Sequence, residues 1–325
     1  MKKVLALVMV VVLALSVSAL ALADNITIGY AQVGHESDWR TANTQNYQDV
    51  FSTANGYDLT FVDADNDHAV QLEAVRSMIE ADLDVIVIAP IQSSGWEVVL
   101  KEAQDAGIPV IIADREIDVD PSLYTAWVGT NTENEGITAG NWLAEYLDGA
   151  EANILVIEGS VGASAAIGRT NGFNSVVEAN DNMKVIDSQS GDFTQAGGQE
   201  VMESFIKSYN GHFNVVVCQN DNEAYGAMDA MDAAGITYGV GGDVILISFD
   251  AVHDGLQYTL DGKINCDVEC NPIQASTVEG VIKQILNGEA YETSTLVTDS
   301  AFCAPEKESS YAITMTQEIL DGRAY

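Results

Sequence analysis

Short apolar runs, each followed by an amphipathic segment, recur along almost the whole chain. Val85-Ile86-Val87-Ile88-Ala89, Val110-Ile111-Ile112-Ala113 and Ile154-Leu155-Val156-Ile157 are continuous and largely β-branched. They lack the alternation that marks a strand with one wet face, so they fit strands covered on both sides. Strands of that kind alternating with helices imply a parallel, doubly wound α/β sheet. The rhythm runs twice. In the first half, strands at 26–30, 59–62, 85–89, 110–113 and 125–129 alternate with helices at about 40–55, 68–81 and around Glu97-Val98-Val99-Leu100. After a helix at 134–147 it restarts, with strands at 154–157, 184–187, 214–218 and 244–249 and helices at 165–179, 195–209 and 222–234.

About 300 residues beyond the leader exceed what one core comfortably organises, which agrees with two lobes. The expected division is 24–131 plus about 270–292 for the first lobe and 132–269 plus about 293–325 for the second. The chain would cross between them near 129–131, 269–272 and 287–295. Gly56 and Gly107 follow helices, where glycine adopts the left-handed cap. Pro90 and Pro109 stand at strand edges, where a missing N–H is tolerated.

Residues 1–23 are set apart. Met1-Lys2-Lys3 is basic, the next stretch to Leu22 is apolar, and Ala21-Leu22-Ala23 is a small-x-small cleavage site. This reads as a secretory signal removed before Asp24, an uncleaved anchor being the alternative. The location implied is periplasmic or otherwise extracytoplasmic. A net charge of −36 repels phosphate backbones and excludes nucleic acid as a partner. Hydrophobic residues make up 47% of the chain, which argues against disorder despite that charge.

Four cysteines in so long a chain are no disulfide scaffold. Cys218 ends an apolar run and reads as a buried thiol. Cys266 and Cys270 share a face of one strand and are too far apart to join easily. A bridge from either to Cys303 stays open. The four histidines are scattered, so no metal site is expected.

Ligands of open parallel sheets lie beyond the carboxyl ends of the strands. There the sequence offers Glu36-Ser37-Asp38-Trp39-Arg40 after the first strand and Asp114-Arg115 after the fourth. In the second half Arg169 lies just inside a helix, Asn220 follows Cys218, and Asp250 follows Phe249. Each has an ordinary structural role open to it: helix caps for Asn220 and Asp250, a surface pair for Arg115, a core anchor for Trp39. Together they set carboxylates, an amide and guanidinium groups at matching ends of two sheets. Carboxylates accept from hydroxyls, guanidinium groups donate to hydroxyl oxygens, and an indole face covers the C–H side of a sugar ring. A polyhydroxyl ligand suits that set. Competing chemistries lack their motifs: Gly239-Val240-Gly241-Gly242 precedes a strand instead of following one, and neither a phosphate loop nor H-E-x-x-H occurs.

Several stretches resemble the type I periplasmic sugar-binding proteins of ABC importers, and more narrowly their galactofuranose-binding component. They are Ala31-Gln32-Val33-Gly34 with Glu36-Ser37 and Trp39-Arg40, Gly95-Trp96-Glu97, Asp114-Arg115, Gly162-Ala163-Ser164, Ser188-Gln189-Ser190-Gly191-Asp192-Phe193-Thr194, and Val201-Met202-Glu203-Ser204-Phe205-Ile206-Lys207. The resemblance implies two lobes on a hinge, a monomer, no cofactor and no catalysis. It implies a monosaccharide, galactofuranose-like or another pentose or hexose, handed to a membrane permease. Glu36, Ser37, Asp38, Trp39, Arg40, Asp114 and Arg115 would then line the first lobe's side of the site. Arg169, Asn220 and Asp250 would line the second, and Glu269 would reach in from a crossing. Asp38 and His35 stand where smaller residues are expected, and would enlarge the side chains beside the ligand. A sensor that passes bound sugar to a chemoreceptor or kinase would use the same site, and a secreted hydrolase using Asp114 and Asp250 is the reading from another class.

Overall fold

The structure is a computed structural model whose described residues are 25–325. The leader expected at 1–23 lies outside them. In chain order the strands are β1 (Ile26–Gln32), β2 (Tyr57–Asp63), β3 (Val85–Ile88), β4 (Val110–Asp114), β5 (Ala126–Gly129), β6 (Ala152–Glu158) and β7 (Met183–Ser190). They continue with β8 (Val215–Cys218), β9 (Ile245–Asp250), β10 (Cys266–Glu269), β11 (Ser294–Leu296), β12 (Ala301–Cys303) and β13 (Ile313–Thr314). One sheet has the order β2-β1-β3-β4-β5-β11, all parallel, and the other β7-β6-β8-β9-β10-β12-β13. Both begin with the same doubly wound order, the second strand outside the first and the third on its other side. The second sheet is parallel except where β12 runs against β10.

Helices α1 (Asp38–Val50), α2 (His68–Glu80) and α3 (Glu97–Ala106) belong to the first sheet. Then α4 (Thr132–Leu147), α5 (Ser164–Glu178), α6 (Gln195–Tyr209), α7 (Asp221–Ala234) and α8 (His253–Leu260) serve the second. The chain returns to the first sheet with α9 (Ala275–Leu286) and ends on the second with α10 (Gln317–Asp321). Strands β3 and β4 are buried at every position because apolar clusters cover both faces of their sheet. The second sheet is covered in the same way. Ser37, Asn131 and Asn220 each cap a helix by accepting a backbone N–H from the first turn.

The third crossing differs from expectation. The expected division places about 293–325 in the second lobe, yet Ser294–Leu296 pairs with β5, Ser294 opposite Trp127. The chain therefore crosses at 297–300. Ser294-Thr295-Leu296 is a half-wet edge strand with no apolar run to announce it.

Candidate functional site

The carboxyl ends of the two sheets face each other across a cleft. On the first side, Ser37 caps α1, and the next turn carries Arg40 into the interior with its side chain 3% exposed. Arg40 Nε donates to Glu36 Oε1 at 3.0 Å, and its Nη2 lies 2.8 Å from Asp114 Oδ2. Arg115 Nη2 lies 3.4 Å from the same Glu36 oxygen, while its Nη1 donates to the carbonyls of Pro90 and Ile91. Two arginines thus share one carboxylate. Burial alone would favour the protonated form of Glu36, but Arg40 and Arg115 outweigh it and hold the carboxyl below its ordinary value. Trp39 Nε1 donates to the Cys270 carbonyl at 2.5 Å, fixing the indole edge against the second crossing.

On the second side Arg169 is the centre. Its Nε donates to Glu135 Oε2 at 2.8 Å, its Nη2 to Asp250 Oδ1 at 3.0 Å, and its Nη1 to the Gln219 carbonyl. Two glycines set this up by letting α4 and α5 touch. A Cβ on Gly136 would stand 2.2 Å from the Arg169 carbonyl, and one on Gly172 only 2.0 Å from that of Glu133. No larger residue permits the approach that brings Glu135 to Arg169. Asn220 Nδ2 donates to the Phe193 carbonyl at 2.9 Å while its Oδ1 caps α7. Burial, opposed by Arg169 and reinforced by Glu135, pushes the Asp250 carboxyl up to about 6.

Asp114 ends β4 and Asp250 ends β9, and both adopt left-handed backbone, with φ of 64° and 96°. Aspartate is among the few residues that tolerate this region. The turn reverses the side chain toward the cleft in each sheet.

Between the two clusters lies a narrow gap, with free space for little more than a water molecule in this closed arrangement. Its walls come from Glu36, Ser37, Trp39, Arg40, Asp114 and Arg115 on one side and Ala165, Arg169, Phe193, Asn220 and Asp250 on the other, with Cys270 from the crossing. Glu36 Oε2, Arg40 Nη1 and Asp114 Oδ2 are buried there without a hydrogen-bond partner among the described residues. Asp114 Oδ2 is near enough to Arg40 for charge attraction but not aligned for a hydrogen bond. Larger grooves, one between Asn131 and Ile313 and one between Ser93 and Leu296, carry no comparable set of buried charges.

Nine of the eleven sequence-derived site residues line the cavity; Asp38 and Glu269 do not. Asp38 is exposed and reaches across the cleft rim: its N–H donates to Asn222 Oδ1 at 3.0 Å, and Asn222 Nδ2 donates to Asp38 Oδ2 at 3.2 Å. Its neighbour Trp39 points inward because one residue along a helix is a turn of about 100°. Glu269 is saturated by hinge partners, accepting from Ser300 N, Arg323 Nη1 and the Tyr325 hydroxyl at 2.6–2.7 Å. His35 also stands outside the cavity, mostly exposed and 2.5 Å from Asp63. The sequence reading missed Phe193, Ala165 and Cys270 as wall residues and Glu135 behind Arg169. Phe193 and Ala165 sit in or beside stretches that carried the family resemblance; nothing local flags Glu135.

Residues 28–290 match the periplasmic binding protein domain family. The galactofuranose-binding protein of Escherichia coli is 39% identical over 292 residues, covering 89% of this chain and 91% of that protein. A Mycobacterium smegmatis structure in complex with β-D-fucofuranose superposes with a TM-score of 0.82 at 41% identity, over 86% of this chain and 91% of that one. The periplasmic binding component of a Shewanella arabinose ABC transporter, bound to α- and β-L-arabinofuranose, gives 0.81 at 38% identity, over 85% and 91%. With two doubly wound lobes around a shared cleft and a family match over most of its length, this chain belongs to the periplasmic binding protein family.

Proposed function

We propose that this chain is the solute-binding component of an ABC sugar importer and holds a monosaccharide in furanose form in the cleft cavity. The observation that carries the reading is the trio of buried atoms with no hydrogen-bond partner among the described residues, Glu36 Oε2, Arg40 Nη1 and Asp114 Oδ2. Two are acceptors and one a donor, a pattern that hydroxyl groups complete because each can donate and accept. Three arginines and three carboxylates line the cavity, so its charge is balanced and suits a neutral ligand. Such charged partners make the stronger hydrogen bonds to hydroxyls. The furanose form is supported by the three relatives, whose names or bound ligands are galactofuranose, fucofuranose and arabinofuranose.

The mechanism is hinge closure. The ligand binds one lobe of an open form, and the second lobe then closes over it with Arg169, Asn220 and Asp250. Closure follows from the ligand's higher affinity for the closed state. The exported chain acts as a monomer, presents both lobes to a membrane permease, and leaves the sugar chemically unchanged.

Titration calorimetry with galactofuranose-containing sugars, arabinose, galactose and ribose tests this. Trp39→Ala and Asp114→Ala each weaken binding strongly while the far-ultraviolet spectrum stays native. Unchanged affinity in both variants would overturn the site, and silence across the whole panel would overturn the ligand class. Sugar recovered altered after prolonged incubation would overturn the non-catalytic reading.

A further inference from the structure

Strands β10 and β12 are antiparallel neighbours with Cys266 directly opposite Cys303. The backbone fixes which kind of pair this is. Glu269 N–H donates to the Ser300 carbonyl at 2.8 Å, and Ala304 N–H to the Asn265 carbonyl at 3.0 Å. Hydrogen-bonded and non-hydrogen-bonded pairs alternate along an antiparallel ladder. The pairs 265/304 and 269/300 are therefore hydrogen-bonded, with 267/302 between them, and 266/303 is a non-hydrogen-bonded pair. In such a pair the Cα atoms stand about 4.5 Å apart and the side chains lie closest. Disulfides span Cα separations of roughly 4.4–6.8 Å. Both cysteines are buried in one apolar cluster, on the face of the sheet covered by Trp142 and Leu143 of α4. The other two cysteines lie elsewhere: Cys218 in the cluster on the opposite face, Cys270 in the crossing with its sulfur 3.3 Å from Thr130 Oγ1.

All four are thiols in this structure. We propose that Cys266 and Cys303 are a disulfide-forming pair that staples the second lobe where two crossings leave it, while Cys218 and Cys270 remain thiols. The oxidant is a disulfide, either a small molecule or a dithiol–disulfide protein. One cysteine thiolate attacks it and expels one thiolate; the other cysteine thiolate then attacks the mixed disulfide and expels the second. The pair loses two protons and two electrons, and the oxidant's disulfide becomes two thiols. Burial pushes both thiols above their ordinary values, with a smaller contribution to Cys266 from Cys303 itself. The folded sheet therefore reacts slowly, and the bond forms while β10 and β12 are pairing. It closes a loop, residues 266–303, that holds α9 and β11 of the first lobe. The hinge segments beyond Glu269 and before Ala301 stay outside the bond's own strands and remain free to bend.

The test uses the full chain, unfolded and refolded with excess oxidised glutathione, then titrated for thiols in denaturant. Two thiols per chain are expected against four after reduction, with a cross-linked peptide joining Cys266 to Cys303 by mass spectrometry. Oxidised wild type melts about 5–10 °C above protein refolded with a reductant, and Cys303→Ala loses that difference. Four free thiols at equilibrium, or a linkage that includes Cys218 or Cys270, would overturn the proposal. The outcome is independent of sugar binding, so either reading can fail alone.

Discussion

Replacing Asn222 by alanine should loosen the closed cleft without touching the cavity. Asn222 makes two contacts across the rim, accepting from the Asp38 backbone N–H and donating to the Asp38 carboxylate. Both exist only when the lobes are together. Each bond is worth roughly 0.5–1.5 kcal/mol, and solvent exposure puts these two at the lower end. Their joint loss then costs about 1–2 kcal/mol, a roughly 5- to 30-fold rise in Kd. Asp38→Ala removes only the carboxylate bond, because the N–H belongs to the backbone. It should cost about half as much, and adding it to Asn222→Ala should cost nothing further, a clear failure of additivity. The loss belongs to the dissociation rate, since the open form that captures ligand lacks the contact. Stopped-flow fluorescence following the tryptophans, including Trp39 in the cavity wall, separates the two rates. An Asn222→Ala Kd within twofold of wild type, or additive effects of the two substitutions, would refute the latch.

Further outcomes follow from the buried clusters. Gly172→Ala should lower the melting temperature and weaken binding together. The new Cβ would collide with the Glu133 carbonyl at 2.0 Å, an overpacking cost of roughly 1–3 kcal/mol that exceeds the gain in helix propensity. The α4–α5 shift also separates Glu135 from Arg169. Thermal melts across pH should show opposite signs at the two carboxylates. Asp250 rises from 3.8 to about 6 on folding, so between those values the folded chain holds a proton that the unfolded chain has released. Stability therefore falls as pH rises through that window, and Asp250→Asn should flatten the decline. Glu36 is depressed below its ordinary 4.5, so its contribution is present above that value and is lost as pH falls through the folded value; Glu36→Gln should remove that acid loss.

How legible all this was in the sequence depended on distance along the chain. The sheets were readable because Val85-Ile86-Val87-Ile88 and its counterparts declare two covered faces locally. Asp114, Arg115, Asn220 and Asp250 were readable because they follow such runs, and parallel sheets put their ligands there. Glu269 follows the same rule and pairs in register with Asp250, yet it is excluded by Ser300, Arg323 and Tyr325, which are 31 to 56 residues away. Asp38 and Trp39 are neighbours in one helical turn, and only the tertiary setting of α1 decides which faces inward. Glu135 looked like one of two ordinary carboxylates in the first turn of α4. Its role depends on a helix contact made by Gly136 and Gly172. Phe193 needed a backbone turn, φ 61°, to bring its ring beneath Arg115.

The arginines show why an empty cleft resists closing. The chain has five, of which three line the cavity and Arg323 ties the hinge through Glu269. A guanidinium cannot shed its proton to ease burial, so closing the lobes strips water from groups that must remain charged. Among the described residues Glu36 Oε2 and Arg40 Nη1 then lack partners, at about 1–3 kcal/mol each, while Asp114 Oδ2 keeps its charge contact with Arg40. At the lower limit those two atoms cost roughly 2 kcal/mol, set against the Asp38–Asn222 latch and two further bonds across the cleft, from Ser93 N–H to the Gly162 carbonyl and from Glu116 N–H to Ser164 Oγ. A sugar that supplies hydroxyl contacts to these atoms shifts the balance toward the closed form. Small-angle scattering should show the radius of gyration fall when a binding sugar is added, with little change in the Asp114→Ala variant. A sugar-free wild type already as compact as the liganded one would show that trapped water satisfies these atoms, and that the cleft does not use their exposure to hold itself open.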